Sequence, residues 1–211
     1  MNLAFIGIGN VGYSIADNLG HKGHTIYIAH DNPDSYTVRR ALELSPKFEV
    51  LPVREAVEKA DIVFLATPFK AAKEALDNIK FHDKPLVDCT NPIGGGLSHS
   101  LQSQSGGEMI QSIAGDSNVV KAFNTYGYEN FKLNAFTNKA VKPMMPIAGD
   151  DDKSKQLVKG LIEQMGFECV DTGNLYRSIH IEHLALLWIN MVRFSDQYDN
   201  FMWAKLDIPK N

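Results

Sequence analysis

One short stretch near the start constrains this chain more than any other. The apolar run Asn2–Ile6 (NLAFI) stops at Gly7-Ile8-Gly9-Asn10-Val11-Gly12, which is G-x-G-x-x-G at the head of a helix-like segment, residues 11–21. In that setting the first glycine permits a tight turn and the second lets a pyrophosphate approach the backbone. The third lets helix and strand pack closely. A helix N-terminus adds unpaired N–H groups and a positive dipole end for phosphate. Glycines alone often mark plain turns, but a second strand candidate, Thr25–Ala29 (TIYIA), ends about 20 residues on, as a dinucleotide-binding unit requires.

The pattern after it repeats strand and helix. Residues 48–51 (FEVL), 61–66 (DIVFLA), 86–89 (LVDC) and 119–123 (VVKAF) read as strands, with helices expected over 54–59 and 69–80. The continuous apolar run DIVFLA is of the kind buried on both sheet faces. This alternation predicts an α/β fold, a doubly wound parallel sheet of Rossmann type. After about residue 140 the texture changes. Residues 142–148 (KPMMPIA) look like an edge strand, since two prolines weaken a ladder. An acidic start at Gly149-Asp150-Asp151-Asp152 opens a helix that Gly166 ends. A short strand over 167–170 and a long apolar helix over 175–205 complete the reading. We therefore expect a dinucleotide-binding domain, residues 1–140, and a small, mainly helical C-terminal extension, residues 141–211, that packs on it and closes the substrate site.

Composition narrows the class. Net charge is −4, which offers nucleic acid or an anionic membrane no electrostatic attraction. The N-terminus lacks the basic flank of a signal peptide, and the apolar run over 184–192 is shorter than the ~20 residues of a membrane span. A soluble, cytoplasmic protein with no membrane or nucleic-acid partner is expected. Cys89 and Cys169 have neither disulfide nor metal spacing and read as buried thiols. His180 and His183 share a helix face, but no third ligand stands out, so no metal is assigned. The apolar run over 184–192 calls for burial in the monomer core or a homodimer interface, the latter preferred.

In open α/β sheets ligands bind past the carboxyl ends of the strands. Those ends read Ala66-Thr67-Pro68, Cys89-Thr90-Asn91-Pro92 and Phe123-Asn124-Thr125. Each is ordinary turn chemistry by itself; together at one rim they favour a site. No catalytic acid or base stands out.

FIGIGNVG, GHTIYIAHD, DIVFLATPF, VDCTNPIGGG, VVKAFNT, GDDDKSKQLVKGLIEQMGFECVDTGNL and IEHLALLWI occur in that order along nearly the whole chain. In this the chain resembles the NADPH-dependent coenzyme F-420 (deazaflavin) reductases and their relatives, among them the oxidoreductase domain of the six-transmembrane metalloreductases. The resemblance implies an NAD(P)H-dependent oxidoreductase that passes hydride between nicotinamide and a deazaflavin, a flavin or another small redox acceptor. Such chemistry calls for positioning rather than a nucleophile. It also implies that Thr67, Pro68, Asn91, Pro92, Phe123 and Asn124 border the nicotinamide. A second class, a nucleotide-binding or redox-sensing module without catalysis, shares every one of these features.

The chain departs from that family at two places. NADP-preferring members carry Ser-Arg where this one has His30-Asp31, and an arginine often stands where it has Ile179. A 2′-phosphate wants Arg or Lys, whereas a free ribose hydroxyl suits a carboxylate. Asp31 therefore points to NAD and the resemblance to NADP. A protonated His30 would favour phosphate, and Asp31 could instead cap the turn at Asn32-Pro33.

Overall fold

The computed structural model describes residues 1–133, 135–136 and 140–208. In chain order the elements are β1 (Asn2–Ile6), α1 (Asn10–His21), β2 (Thr25–Ala29), α2 (Tyr36–Leu44), β3 (Glu49–Leu51), α3 (Val53–Lys59) and β4 (Ile62–Leu65). They continue with α4 (Ala72–Ala75), β5 (Pro85–Asp88), α5 (Gly106–Ile113), β6 (Asn118–Lys121), β7 (Met144–Gly149), α6 (Asp152–Gln164), β8 (Glu168–Asp171) and α7 (Ser178–Arg193). Among the described residues the strands form one sheet in the order β3-β2-β1-β4-β5-β6-β7-β8. Every pairing is parallel except β6 with β7. The chain reverses direction across the sheet between β1 and β4, and a crevice at such a switch point is where doubly wound sheets take their ligands.

Alternation along the buried strands divides the apolar side chains between two faces. Leu3 and Phe5 pack with Ile15, Leu19, Val38, Val158, Leu161 and Trp188, so α1, α2, α6 and α7 cover one face. Ala4 and Ile6 pack with Val57, Ala72 and Ile110, so α3, α4 and α5 cover the other. The rings of Phe5 and Phe64 stack at 4.5 Å between neighbouring strands.

Four expectations are corrected. The strand over 142–148 is not at the edge: β7 lies between β6 and β8. Pro146 is tolerated because Ile147 and Gly149 bond toward β8, which turns Pro146 to the other side, where the β6 pairing has ended at Ala148. The helix expected over 69–80 is a 3-10 turn, Phe69–Ala71, followed by the single turn α4. Asn78, His82 and Asp83 all adopt positive φ, which ends any helix there. The helix expected over 175–205 starts with a 3-10 turn, Leu175–Arg177, and stops at Arg193. The segment beyond folds back: Trp188 Nε1 donates to the Phe201 carbonyl at 2.7 Å and Met144 N to that of Trp203 at 2.8 Å. Finally, Cys89 is buried but Cys169, on the outermost strand, is only half-buried, and burial pushes its thiol up to about 11.

Much of the apolar run of α7 is covered within the chain. Ala185, Leu186 and Trp188 are buried, while Leu187 is exposed. Among the described residues no helix is long and apolar enough to cross a membrane, and no group of three metal-ligating side chains occurs.

Candidate functional site

At the end of β1, Gly7 turns with φ +95°, a conformation open to glycine. A side chain on it would strike the Ala66 and Thr67 backbone within 2.8 Å, because the loops after β1 and β4 lie against each other. A Cβ on Gly12 would lie 2.2 Å from the Gly7 carbonyl oxygen, so the third glycine seats α1 on the turn. A Cβ on Gly9 meets nothing within 4 Å. The second glycine thus faces open space beside the start of α1. That start has no side-chain cap and no acidic residue in its first turn, so its N–H groups and dipole are free for an anion.

A cavity of about 400 Å³ opens beside this turn, lined among others by Gly9, Asn10, Tyr13, Thr37, Arg40 and Tyr128. Ile8 also lines it. Val11 is half-buried and packs on the core. Arg40 Nη1 donates to Asn10 Oδ1 at 3.0 Å, which brings α2 to the glycine turn and its guanidinium with it.

His30 and Asp31 follow β2 at the same rim. His30 Nδ1 accepts the Asn32 amide at 3.0 Å, which in a neutral ring leaves the proton on Nε2. Asp31 Oδ1 accepts the Val53 amide at 3.0 Å, so this carboxylate caps the first turn of α3. The turn at Asn32-Pro33 is capped instead by Asn32 itself, whose Oδ1 accepts the Asp34 amide at 3.0 Å.

The ends of β5 and β6 are brought together. Asn91 Nδ2 donates to the Asn124 carbonyl at 2.7 Å and Asn124 Nδ2 to Asn91 Oδ1 at 2.8 Å. Between β6 and Asn124, the fully buried Phe123 holds φ +58°. A bulky residue there is strained, by about 1–3 kcal/mol, and the cost is borne by packing against Phe64 and Phe131 at 6.0 and 5.9 Å. The buried atoms Thr67 Oγ1, Asn124 Oδ1 and Thr125 Oγ1 have no hydrogen-bond partner among the described residues. Pro68 precedes the Phe69–Ala71 turn. Pro92 lies near Phe69, since a Cβ on Gly106 would be 3.1 Å from Pro92 Cδ and 3.2 Å from Phe69 Cε2.

Directly behind Pro92 is a buried charge network that the sequence reading did not assemble. Lys121 and Asp88, paired across β5 and β6, are wholly buried, as is Glu182 of α7 to within 1%. Lys121 Nζ donates to Asp88 Oδ2 at 2.9 Å, the Thr90 carbonyl at 2.6 Å and Glu182 Oε1 at 2.8 Å, which uses all three of its protons. Asp88 Oδ1 accepts from Thr90 N and Oγ1. Glu182 also accepts from the Gly106 and Gly107 amides, at 2.9 and 3.2 Å, and from His99 Nε2 at 2.7 Å. Burial opposes the charge on Lys121, but Asp88 and Glu182 outweigh it and raise its pKa. Burial likewise opposes ionisation of Glu182, but Lys121, His99 and the Gly106 amide hold it below the usual carboxylate range. The signal was present: a lysine inside VVKAF and an aspartate inside LVDC are charges where a buried strand has no room for one. Ile179 holds no charge of its own, and Lys121 supplies the cation that Glu182 needs.

Residues 2–92 match the family described as NADP oxidoreductase coenzyme F420-dependent. Among solved structures, a candidate F420-dependent NADP reductase from Arthrobacter sp. FB24 is 22% identical, with a TM-score of 0.75 over 90% of this chain and 93% of that one. The hypothetical protein SMa0349 from Sinorhizobium meliloti is 21% identical, with a TM-score of 0.74 over 84% of this chain and 88% of that one. An imine reductase from Aspergillus terreus, solved with NADPH4, is 15% identical with a TM-score of 0.64, and the match covers 88% of this chain and 60% of that longer one. These likenesses concern the fold. Joined to the sequence match over residues 2–92, they make the chain similar to the coenzyme F420-dependent NADP oxidoreductases.

Proposed function

We propose that the chain binds NADP(H) at the glycine turn and exchanges hydride with a deazaflavin- or flavin-like acceptor at the rim formed by the ends of β4, β5 and β6. The observation that carries this is the open space at Gly9 beside an uncapped helix start, in a turn whose other two glycines are sterically required. Gly7, Ile8, Gly9, Asn10, Val11 and Gly12 form the phosphate cradle. Ala66, Thr67, Pro68, Asn91, Pro92, Phe123 and Asn124 form the nicotinamide wall. Once bound, the reduced nicotinamide supplies a hydride, and the rim orients the rings and excludes water. The rim's unpartnered buried hydroxyl and amide oxygens suit a polar ring substituent such as a carboxamide. The buried charges do not compete, since Lys121 has no proton left to give.

For the cofactor, NADP is favoured over NAD by the position of Arg40. Its guanidinium reaches the glycine turn, whereas the Asp31 carboxylate is engaged by Val53. A 2′-phosphate carries about two charges and is matched by a guanidinium. His30 offers an Nε2–H in support.

The test is absorbance at the nicotinamide band with NADPH and then NADH against deazaflavin, flavin, quinone and ferric acceptors. Oxidation of NADPH by a deazaflavin or flavin supports the reading. Tight nucleotide binding with no acceptor reduced would instead identify a sensor.

A further inference from the structure

The buried charge network reaches the rim through the Thr90 carbonyl and joins the pieces from which the rim is built. Lys121 holds the Thr90 carbonyl, one residue before Asn91. Glu182 holds the amides of Gly106 and Gly107, the amino end of α5, and the ring of His99, which lies across a bridge from Ile93. A Cβ on Gly106 would sit between Glu182 Oε1, at 2.8 Å, and the rings of Pro92 and Phe69. One carboxylate from α7 and one ammonium from β6 therefore set how far β5, α5 and the loop after Pro92 stand from one another.

We propose that Glu182, acting through Lys121, is a positioning residue that holds Asn91 and Pro92 where the acceptor and nicotinamide must meet. This rests on the reading of that rim as the nicotinamide wall. Two chemical facts support a purpose beyond stability. A buried ion pair seldom stabilises more than apolar packing of the same volume, so three charges are a poor way merely to fill space. Their geometry is also fully determined, because each Lys121 proton has one acceptor and Glu182 is committed on both oxygens. Displacement by about 1 Å from the productive geometry costs about 100-fold in rate.

The experiment compares wild type with Glu182→Gln on two readouts: steady-state kinetics, and amide exchange in the nucleotide-free protein. The expected result is a kcat lower by about 10- to 100-fold, with the KM for NADPH changed by no more than about twofold. Exchange should quicken at Gly106 and Gly107 and also at the Thr90 amide, which Glu182 does not touch and to which Lys121 and Asp88 link it. Replacing His99 gives a graded check. His99→Gln keeps a donor for Glu182 and should recover most of the kcat that His99→Leu loses. An unchanged kcat, or a rise in KM alone, overturns the proposal even if the Gly106 and Gly107 amides open. Should Glu182→Gln fail to fold, the Asp88→Asn/Lys121→Met/Glu182→Gln triple variant removes all three charges together and must show the same kcat loss. If wild type reduces no acceptor, the hydride reading fails by itself. Exchange at Thr90 then still decides whether Glu182 acts through Lys121.

Discussion

The carboxylate of Asp31 accepts the backbone amide of Val53 at 3.0 Å, across 22 residues of chain. The acid that reads in sequence as a ribose ligand is thereby engaged at the start of α3. Arg40 brings a cation to the glycine turn through its bond to Asn10. Arg40→Ala is accordingly expected to raise the KM for NADPH by about tenfold and leave that for NADH within twofold. Equal losses with both nucleotides would assign Arg40 to the pyrophosphate. Asp31→Ala should destabilise the fold by about 1 kcal/mol without improving NADPH binding, as measured by urea denaturation and nucleotide titration.

The second and third glycines of the turn should fail in different ways. Gly9→Ala meets open space, so the protein should keep its melting temperature and lose nucleotide affinity. Gly12→Ala puts a methyl 2.2 Å from the Gly7 carbonyl oxygen and should lower the melting temperature as well. If Gly9→Ala binds NADPH as tightly as wild type, the cradle is elsewhere.

At Phe123 the usual order of glycine and alanine should invert. Either variant loses a fully buried ring, a cost of about 3–5 kcal/mol. Glycine alone also relieves the positive φ, by about 1 kcal/mol. Phe123→Gly should therefore be more stable than Phe123→Ala in chemical denaturation. At Phe64, in a regular strand, alanine should be the better tolerated.

Stability should also depend on acid through Glu182. Its folded pKa is depressed, so its contribution is present above the unfolded value near 4.5 and is lost as pH falls through the lower folded value. Unfolding curves from pH 6 downward should show this loss, and Glu182→Gln should flatten it. That variant also breaks a buried pair, at a cost of about 3–5 kcal/mol near neutral pH. Lys121 behaves in the opposite sense. Its folded pKa is raised, so its contribution persists below the ordinary lysine value of 10.5 and fades only as pH rises through the higher one.

What was legible along the chain was whatever depends on neighbours in sequence. β1 and β2 agree residue for residue with their apolar runs, and the glycine turn, the α6 start at Asp151 and its stop at Gly166 are local matters of φ, capping and dipole. The rim residues Asn91 and Asn124 were legible because a strand end announces itself by the polar residue that follows. α2 was not, because only Val38 and Ala41 are buried and its apolar signal is faint.

Tertiary structure decided the rest, where two distant segments must agree. Nothing in KPMMPIA says that β7 runs antiparallel inside the sheet, since that depends on where β6 ends. Nothing near Asp31 says that its partner is the Val53 amide. Lys121, Asp88, Glu182 and His99 lie up to 94 residues apart, and each alone is only a charge or a ring in an apolar run. Burial turns them into one network, because a charge removed from water must find its opposite wherever the fold can bring it.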